Sequence, residues 1–271
     1  MRQEHWFNYL IEASLLGAFM VSACVFVALL EHPGSAARRA LRHAGVRRGL
    51  VGLAMGATAV ALITSPWGQR SGAHMNPAVT LAFLALGKVT PIDAAGYVVG
   101  QFAGGIAGVG LARTVLGRVV AHPSVGFVAT RPGRRGPWVA WVAEFAIAFV
   151  LMSVVLRLSN DAGLAFLTPW AAGGLVAVYI TLEAPLSGMS MNPARTLGSA
   201  VHARDFAAWW VYATAPAVAM LAAAWVFVAT DGHAYCAKLD HRGDSACPFL
   251  CEIGGLRPHP GRAAGIQGSG E

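Results

Sequence analysis

Long apolar runs alternate with short polar segments along the chain, and this pattern determines the predicted helices. A helix needs about 20 mainly apolar residues to cross the hydrocarbon core of a bilayer. Residues that favour turns separate the runs, as at 31–34 and 160–163. We therefore predict six membrane spans, at about residues 6–30, 49–64, 92–112, 138–158, 169–182 and 206–230.

Two short stretches between these runs are near copies of each other. Residues 71–81 and 187–197 both read Ser-Gly-x-x-Met-Asn-Pro-Ala-x-Thr-Leu, at a constant offset of 116 residues. Asparagine is a good N-cap, and proline suits the first helical position, where an N–H has no partner in the helix anyway. Each copy thus predicts a half-helix that is too short to cross the membrane, at residues 76–86 and 192–202.

The two copies divide the chain into repeats. The order span, span, half-helix, span occurs in residues 1–112 and again in 138–230, with a linker at 113–137 and a polar C-terminal tail at 231–271. An odd number of spans per repeat makes the copies run through the membrane in opposite directions. The half-helices then meet near the midplane, where irregular backbone must be buried in protein or line a watery cavity.

Composition supports a membrane protein and excludes other classes. Hydrophobic residues make up 56% of the chain and charged residues only 12%, whereas soluble domains carry about 25% charged residues. The net charge of +7 does not indicate a nucleic-acid partner, because the arginines lie in loops between apolar runs rather than on one face. The sequence contains no metal-ligand helix or nucleophile–base pair, so we predict no enzyme, no metal and no cofactor.

The duplicated motif carries a resemblance to a known family. The two cores of the motif are Asn76, Pro77 and Ala78, and Asn192, Pro193 and Ala194, and Arg195 directly follows the second core. Over roughly residues 5–230 the chain resembles the major intrinsic protein family, the aquaporins and glycerol facilitators. The resemblance implies an aquaporin-like all-α membrane fold, with six transmembrane helices and two re-entrant half-helices in an inverted repeat. It also implies a passive pore for water and small neutral solutes that excludes protons and ions.

The resemblance further implies a homotetramer in the cell (inner) membrane, with both termini in the cytoplasm. This orientation puts more arginines outside than inside, whereas the positive-inside rule favours the reverse. We keep the family orientation, because several of these arginines lie in the middle of loops. Two other functions stay open: a glycerol or small-solute facilitator with little selectivity for water, and a coupled secondary transporter. The transporter would need ionisable midplane residues beyond Arg195.

By resemblance, four positions form the narrowest ring of the pore. They fall on Ile180, Met189, Arg195 and either Met55 or Gly56. The ring lacks the aromatic–histidine pair of water-selective members, and a threonine replaces the aspartate that follows the arginine in glycerol-type members. Water stays the default permeant. An arginine inside a membrane is costly and indicates a functional site.

Two glutamates occupy matching places near the starts of spans one and four. A buried carboxylate needs hydrogen-bond donors, and for Glu12 and Glu144 we expect them in the backbone amides of the two motif loops. The resemblance assigns the glutamates the same supporting role and makes His74 a structural contact of its loop. The alternative is a proton relay. Glu183 either faces the pore mouth or is solvated.

The prediction for the C-terminal tail depends on its composition. Cys236, Cys247 and Cys251 follow a Cys-x10-Cys-x3-Cys spacing that is not typical of zinc sites. With His233 and His241 they permit a small metal or redox site, but the glycine, proline and charge content favours a disordered tail.

Overall fold

A computed structural model describes residues 5–239 of the chain. Within this range the protein is all-α and has no strand. Six helical stretches are long and apolar enough to cross a membrane, which confirms the predicted spans. In chain order the helices are α1 (His5–Glu31), α2 (Ala36–Ala40), α3 (Ala44–Thr64), α4 (Pro66–Ser71), α5 (Pro77–Ala85), α6 (Pro91–Leu116), α7 (Arg118–Ala121), α8 (Pro137–Ser159), α9 (Thr168–Leu182), α10 (Ala184–Ser187), α11 (Pro193–Ala203) and α12 (Trp209–Ala229).

The spans differ from their predicted bounds mainly at polar ends. α3 begins five residues before the predicted start at 49 and includes Arg47. This arginine is buried, and its guanidinium donates to the Glu31 carboxylate at 3.1 Å and to the carbonyls of Leu41 and Arg42 at 2.8 Å. A buried charge is tolerated when it is paired and hydrogen-bonded, so the helix extends into a segment whose sequence resembles a loop.

The two halves of the chain form matching sets of contacts. α1 packs on α6 as α8 packs on α12, and α3 packs on α9 between the halves. Each half-helix packs against the last span of the other half, α5 on α12 and α11 on α6. The half-helices α5 and α11 are thus held inside the bundle rather than exposed to lipid.

Small residues let the spans approach closely. Gly104 and Gly108 of α6 face α1, where an added Cβ would lie 2.0 Å from the Ala13 carbonyl oxygen and 2.4 Å from that of Gly17. On α12 the corresponding stripe is Ala215, Ala219 and Ala223, all buried. In lipid, where apolar contact alone does not drive association, such close backbone packing stabilises helix pairs.

The outer face of the bundle is apolar. Leu53, Val99, Leu182 and Trp225 are each more than 60% exposed. Such a surface is costly in water and suits lipid tails. The protein is therefore a multi-pass integral membrane protein.

Candidate functional site

Each half-helix begins at the asparagine of its motif. The Asn76 side-chain oxygen accepts the Ala78 N–H at 2.9 Å. The Asn192 oxygen accepts the N–H groups of Ala194 and Arg195 at 3.0 and 3.2 Å. A proline follows each asparagine at the first helical position. Local chemistry alone thus sets both helix starts.

The same asparagines tie the two loops to each other. Asn76 Nδ2 donates to the Met191 carbonyl, and Asn192 Nδ2 donates to the Met75 carbonyl, both at 2.7 Å. The half-helix starts therefore meet tip to tip inside the bundle. The positive ends of both helix dipoles point at this junction.

The loop backbones that lead into the junction are strained in the same way. Ala73 and Met75 have φ angles of 48° and 49°, and their counterparts Met189 and Met191 have 52° and 55°. A side chain in this left-handed region costs on the order of 1–3 kcal/mol. Such a conformation persists only where the surroundings hold it.

Each of the two buried glutamates accepts hydrogen bonds from one of these loops. Glu144 accepts hydrogen bonds from Ser187 Oγ and Ser190 N at 2.7 Å and from Met191 N at 2.6 Å. Neither Glu144 nor Glu12 is exposed to solvent.

Glu12 makes the matching set of contacts in the first half. It accepts from Ser71 Oγ at 2.7 Å, from the N–H groups of His74 and Met75 at 3.0 and 2.6 Å, and from Gln101 Nε2 at 2.8 Å. The glutamine is an additional donor that the second half lacks, because Pro216 occupies the equivalent turn of α12.

A cavity of about 380 Å³ runs past the junction of the loops. Both asparagines line it, together with Met55, Ile180, Met189 and Arg195. Apolar side chains dominate the rest of the lining. Arg195 Nη1 is buried and has no hydrogen-bond partner among residues 5–239.

Of the two candidates for the fourth ring position, Met55 is among the residues that line the cavity and Gly56 is not. An added Cβ at Gly56 would lie 2.4 Å from the Gly173 carbonyl oxygen. The residue therefore lies where α3 crosses α9. Met55, one residue earlier on the helix, points into the cavity instead.

No sequence pattern predicts several of the residues that line the cavity. Val125, Val128 and Ala129 of the linker line the cavity, and Thr130 Oγ1 lies 2.9 Å from Thr196 Oγ1 of α11. Nothing in the apolar pattern of a loop indicates such a contact, because it depends on residues far away in sequence.

Glu183 is buried at the end of α9, with 9% of its surface exposed, so the solvated alternative is wrong. Burial raises the pKa of this carboxyl to about 7. It is not among the residues that line the cavity.

The tail is only partly described, and its described part is packed. Ala234, Cys236, Ala237 and Lys238 are buried, so the expectation of a disordered tail is wrong for these residues. Residues 5–239 contain no cluster of metal-ligating side chains. Of the residues of the possible metal or redox site, His233 and Cys236 are described, whereas His241, Cys247 and Cys251 lie outside the described residues.

His74 connects its loop to two other segments. Its Nδ1 lies 3.1 Å from Thr80 Oγ1, and its Nε2 donates to the Ala237 carbonyl at 3.1 Å. The imidazole also stacks on Phe83, with ring centroids 5.0 Å apart. These contacts tie His74, which also lines the cavity, to α5 and to the chain that follows α12.

A multi-pass bundle whose cavity passes two inverted half-helix starts has the architecture of a membrane channel. The sequence model of the family "Major intrinsic protein" matches residues 7–227. The chain belongs to that family, whose aquaporins are channels and not enzymes.

Relatives and structural neighbours agree with this assignment. The chain is 37% identical to aquaporin NIP1-3 of Oryza sativa subsp. japonica over 171 residues, which cover 62% of this chain and 58% of that protein. It is 36% identical to aquaporin NIP2-2 of Zea mays over 162 residues, which cover 59% and 53%. The match thus spans less than two thirds of the length of these relatives. The X-ray structure of the aquaglyceroporin from Plasmodium falciparum shares the fold, with a TM-score of 0.63, 17% identity, and coverage of 82% of this chain and 95% of that one.

Proposed function

We propose that the protein is a passive channel that conducts water down an osmotic gradient, along with small neutral solutes, and excludes ions and protons. The observation that carries this proposal is the junction of the two half-helices. There Asn76 and Asn192 line the cavity, and each uses an amide to hold the opposite loop.

The electrostatics of the junction favour neutral molecules. Two helix starts direct positive potential at one point of the cavity, which opposes the passage of cations and hydronium. Each asparagine amide has two N–H groups, and one is used between the loops. The other is the donor that we assign to the oxygen of a permeating molecule.

We assign the narrowest ring to Met55, Ile180, Met189 and Arg195. Three of these side chains are apolar, so Arg195 is the strong donor that orients the permeant. The absence of aromatic side chains at these four positions favours a wider ring, and this supports the second candidate function, a small-solute facilitator with little selectivity for water.

We assign Glu12 and Glu144 a supporting role and not a relay. Each carboxylate accepts hydrogen bonds from one motif loop. A carboxylate that is satisfied in this way stabilises a strained loop, whereas a relay needs a partner that takes the proton onward.

We further propose a homotetramer in the cell membrane, with cytoplasmic termini. The charge rule counts arginines close to the ends of the spans, and several arginines of the outer loops lie in the middle of their loops. Labelling of a cysteine introduced at exposed Arg42 in intact cells tests the orientation, and native mass spectrometry tests the assembly.

The decisive experiment is flux in proteoliposomes. Stopped-flow light scattering with water, glycerol, urea and ammonia gives the solute range, and the same vesicles under an ion gradient test for coupling. We expect fast water flux without current. Flux that requires an ion gradient would identify a transporter, and a robust cation current would contradict the channel proposed here.

A further inference from the structure

The residues that follow α12 turn back into the bundle. We call residues 232–238 the tail segment. At its start, the Gly232 N–H donates to the Phe227 carbonyl at 2.8 Å. Near its middle, the Tyr235 N–H donates to Asn160 Oδ1 at 2.7 Å. Ala234 and Ala237 pack into the same apolar core as Phe83 of α5.

The tail segment touches the first motif loop at two residues. His74 Nε2 donates to the Ala237 carbonyl at 3.1 Å. Gly72 lies so close that an added Cβ would be 2.4 Å from the same oxygen. Both loop residues line the cavity, so the tail segment lies directly behind a wall of the proposed pore.

The second motif loop has an equivalent support from a different part of the chain. Gly188, the counterpart of Gly72 at the offset of 116 residues, lies against linker residue Arg131, whose backbone N and O would each be 2.9 Å from an added Cβ. Thr130 of the linker bonds Thr196, the counterpart of Thr80. In each half, the segment after the last span thus packs against one motif loop.

We propose that the tail segment is a structural part of the first half of the pore, and that it positions the loop at residues 72–75 through His74. This proposal rests on the channel function proposed above. Glu12 holds the loop from one side through the N–H groups of His74 and Met75. The tail segment holds it from the other side, so that Ala73 and Met75 keep their left-handed backbone. Without it, His74 Nε2 loses its acceptor and Asn76 loses part of its alignment.

The test uses two substitutions in the full chain. Ala237→Trp places a large side chain where Ala237 is only 3% exposed, which displaces the tail segment. His233→Trp introduces the same side chain at an exposed position and is the matched control. If Ala237→Trp prevents folding, Ala237→Val introduces a smaller side chain and displaces the segment less.

Hydrogen–deuterium exchange measures the amide exchange rate of each loop separately. We expect Ala237→Trp to accelerate exchange in residues 71–80 by about tenfold, as for the loss of roughly one buried hydrogen bond, while residues 187–196 exchange as in the wild type. Thr130→Ala should show the reverse pattern, and His233→Trp should change neither loop. Water flux in Ala237→Trp should fall at least about twofold, because it depends on the Asn76 alignment.

Equal acceleration in both loops would indicate general destabilisation and would overturn the proposal, as would unchanged exchange in residues 71–80. The exchange measurement does not depend on conduction. A wild-type protein without water flux would therefore refute the proposed function, while the role of the tail segment in holding the loop would still be tested.

Discussion

Glu144→Gln tests the support of the second loop most directly, because it keeps the side-chain shape and removes the charge. The carboxylate accepts from Ser187 and Ser190 on one oxygen and from Met191 N–H on the other. Glutamine has one acceptor oxygen and one NH2 group. If the oxygen keeps the two serine contacts, the NH2 group faces the Met191 N–H, and neither donor has an acceptor.

The cost follows from these contacts. A hydrogen bond to a charged group contributes about 1.5–3 kcal/mol, and a buried donor left unpaired costs about 1–3 kcal/mol. A neutral amide is less costly to bury than a carboxylate, which offsets part of this loss. We therefore expect Glu144→Gln to reduce the free energy of unfolding by about 2 kcal/mol, which corresponds to a Tm lower by roughly 4–8 °C.

Glu12→Gln is the matched comparison, and the structure predicts a smaller effect. Gln101 Nε2 donates to Glu12, and Gln101 Oε1 is buried with no partner among the described residues. If the Gln101 amide turns over, its oxygen accepts from the new NH2 group at position 12. The difference between the two variants should be about 1 kcal/mol, the value of one hydrogen bond.

The assay is tryptophan-monitored thermal unfolding in detergent, with stopped-flow water flux at equal protein content. Wild-type Tm and flux in Glu144→Gln would refute the support role. So would a Glu12→Gln variant that is the less stable of the two, since the compensation by Gln101 would then be absent. Intact water flux combined with loss of a pH-driven uptake would establish the relay instead.

Arg195→Ala should fold, still pass water, and gain flux of glycerol and protons in proteoliposomes, because both the width and the charge of the ring change. Arg195→Lys should still exclude protons and cations but lose the forked donor. Unchanged selectivity in the alanine variant would place the ring elsewhere. The Glu183 carboxyl has a pKa of about 7, above its unfolded value, so the stability of the protein should fall as the pH rises from about 4.5 through 7. Glu183→Gln should abolish this decrease of Tm with pH. A decrease retained in the variant would assign the pH dependence to another group. Gly104→Ala should destabilise the protein by about 2 kcal/mol or more, because its Cβ would meet the Ala13 carbonyl. An added Cβ at Gly174 meets nothing within 4 Å, so the control Gly174→Ala should leave Tm unchanged or slightly higher. Equal Tm values in the two alanine variants would contradict the close packing of α1 on α6.

The sequence by itself determined the features that depend on neighbouring residues. Apolar runs specify spans because lipid requires every backbone group to be satisfied within the helix. Asn76 and Asn192 specify the half-helix starts because a cap and a following proline act within one turn. The donors around Glu12 and Glu144 were foreseeable as well, since a buried carboxylate needs donors and the motif loops have backbone amides without partners in a helix.

Only the tertiary structure decided which surfaces meet over long distances in the chain. Met55 and Gly56 are adjacent, yet one lines the cavity and the other packs on Gly173, because each residue turns a helix by about 100° and the crossing of α3 on α9 sets the rotation. The linker and the tail segment were unpredictable for a related reason. Their composition is that of loops, and Thr130 and Ala237 acquire partners 66 and 163 residues away. Contacts at such separations depend on where the whole bundle brings the chain, which no local pattern of residues records.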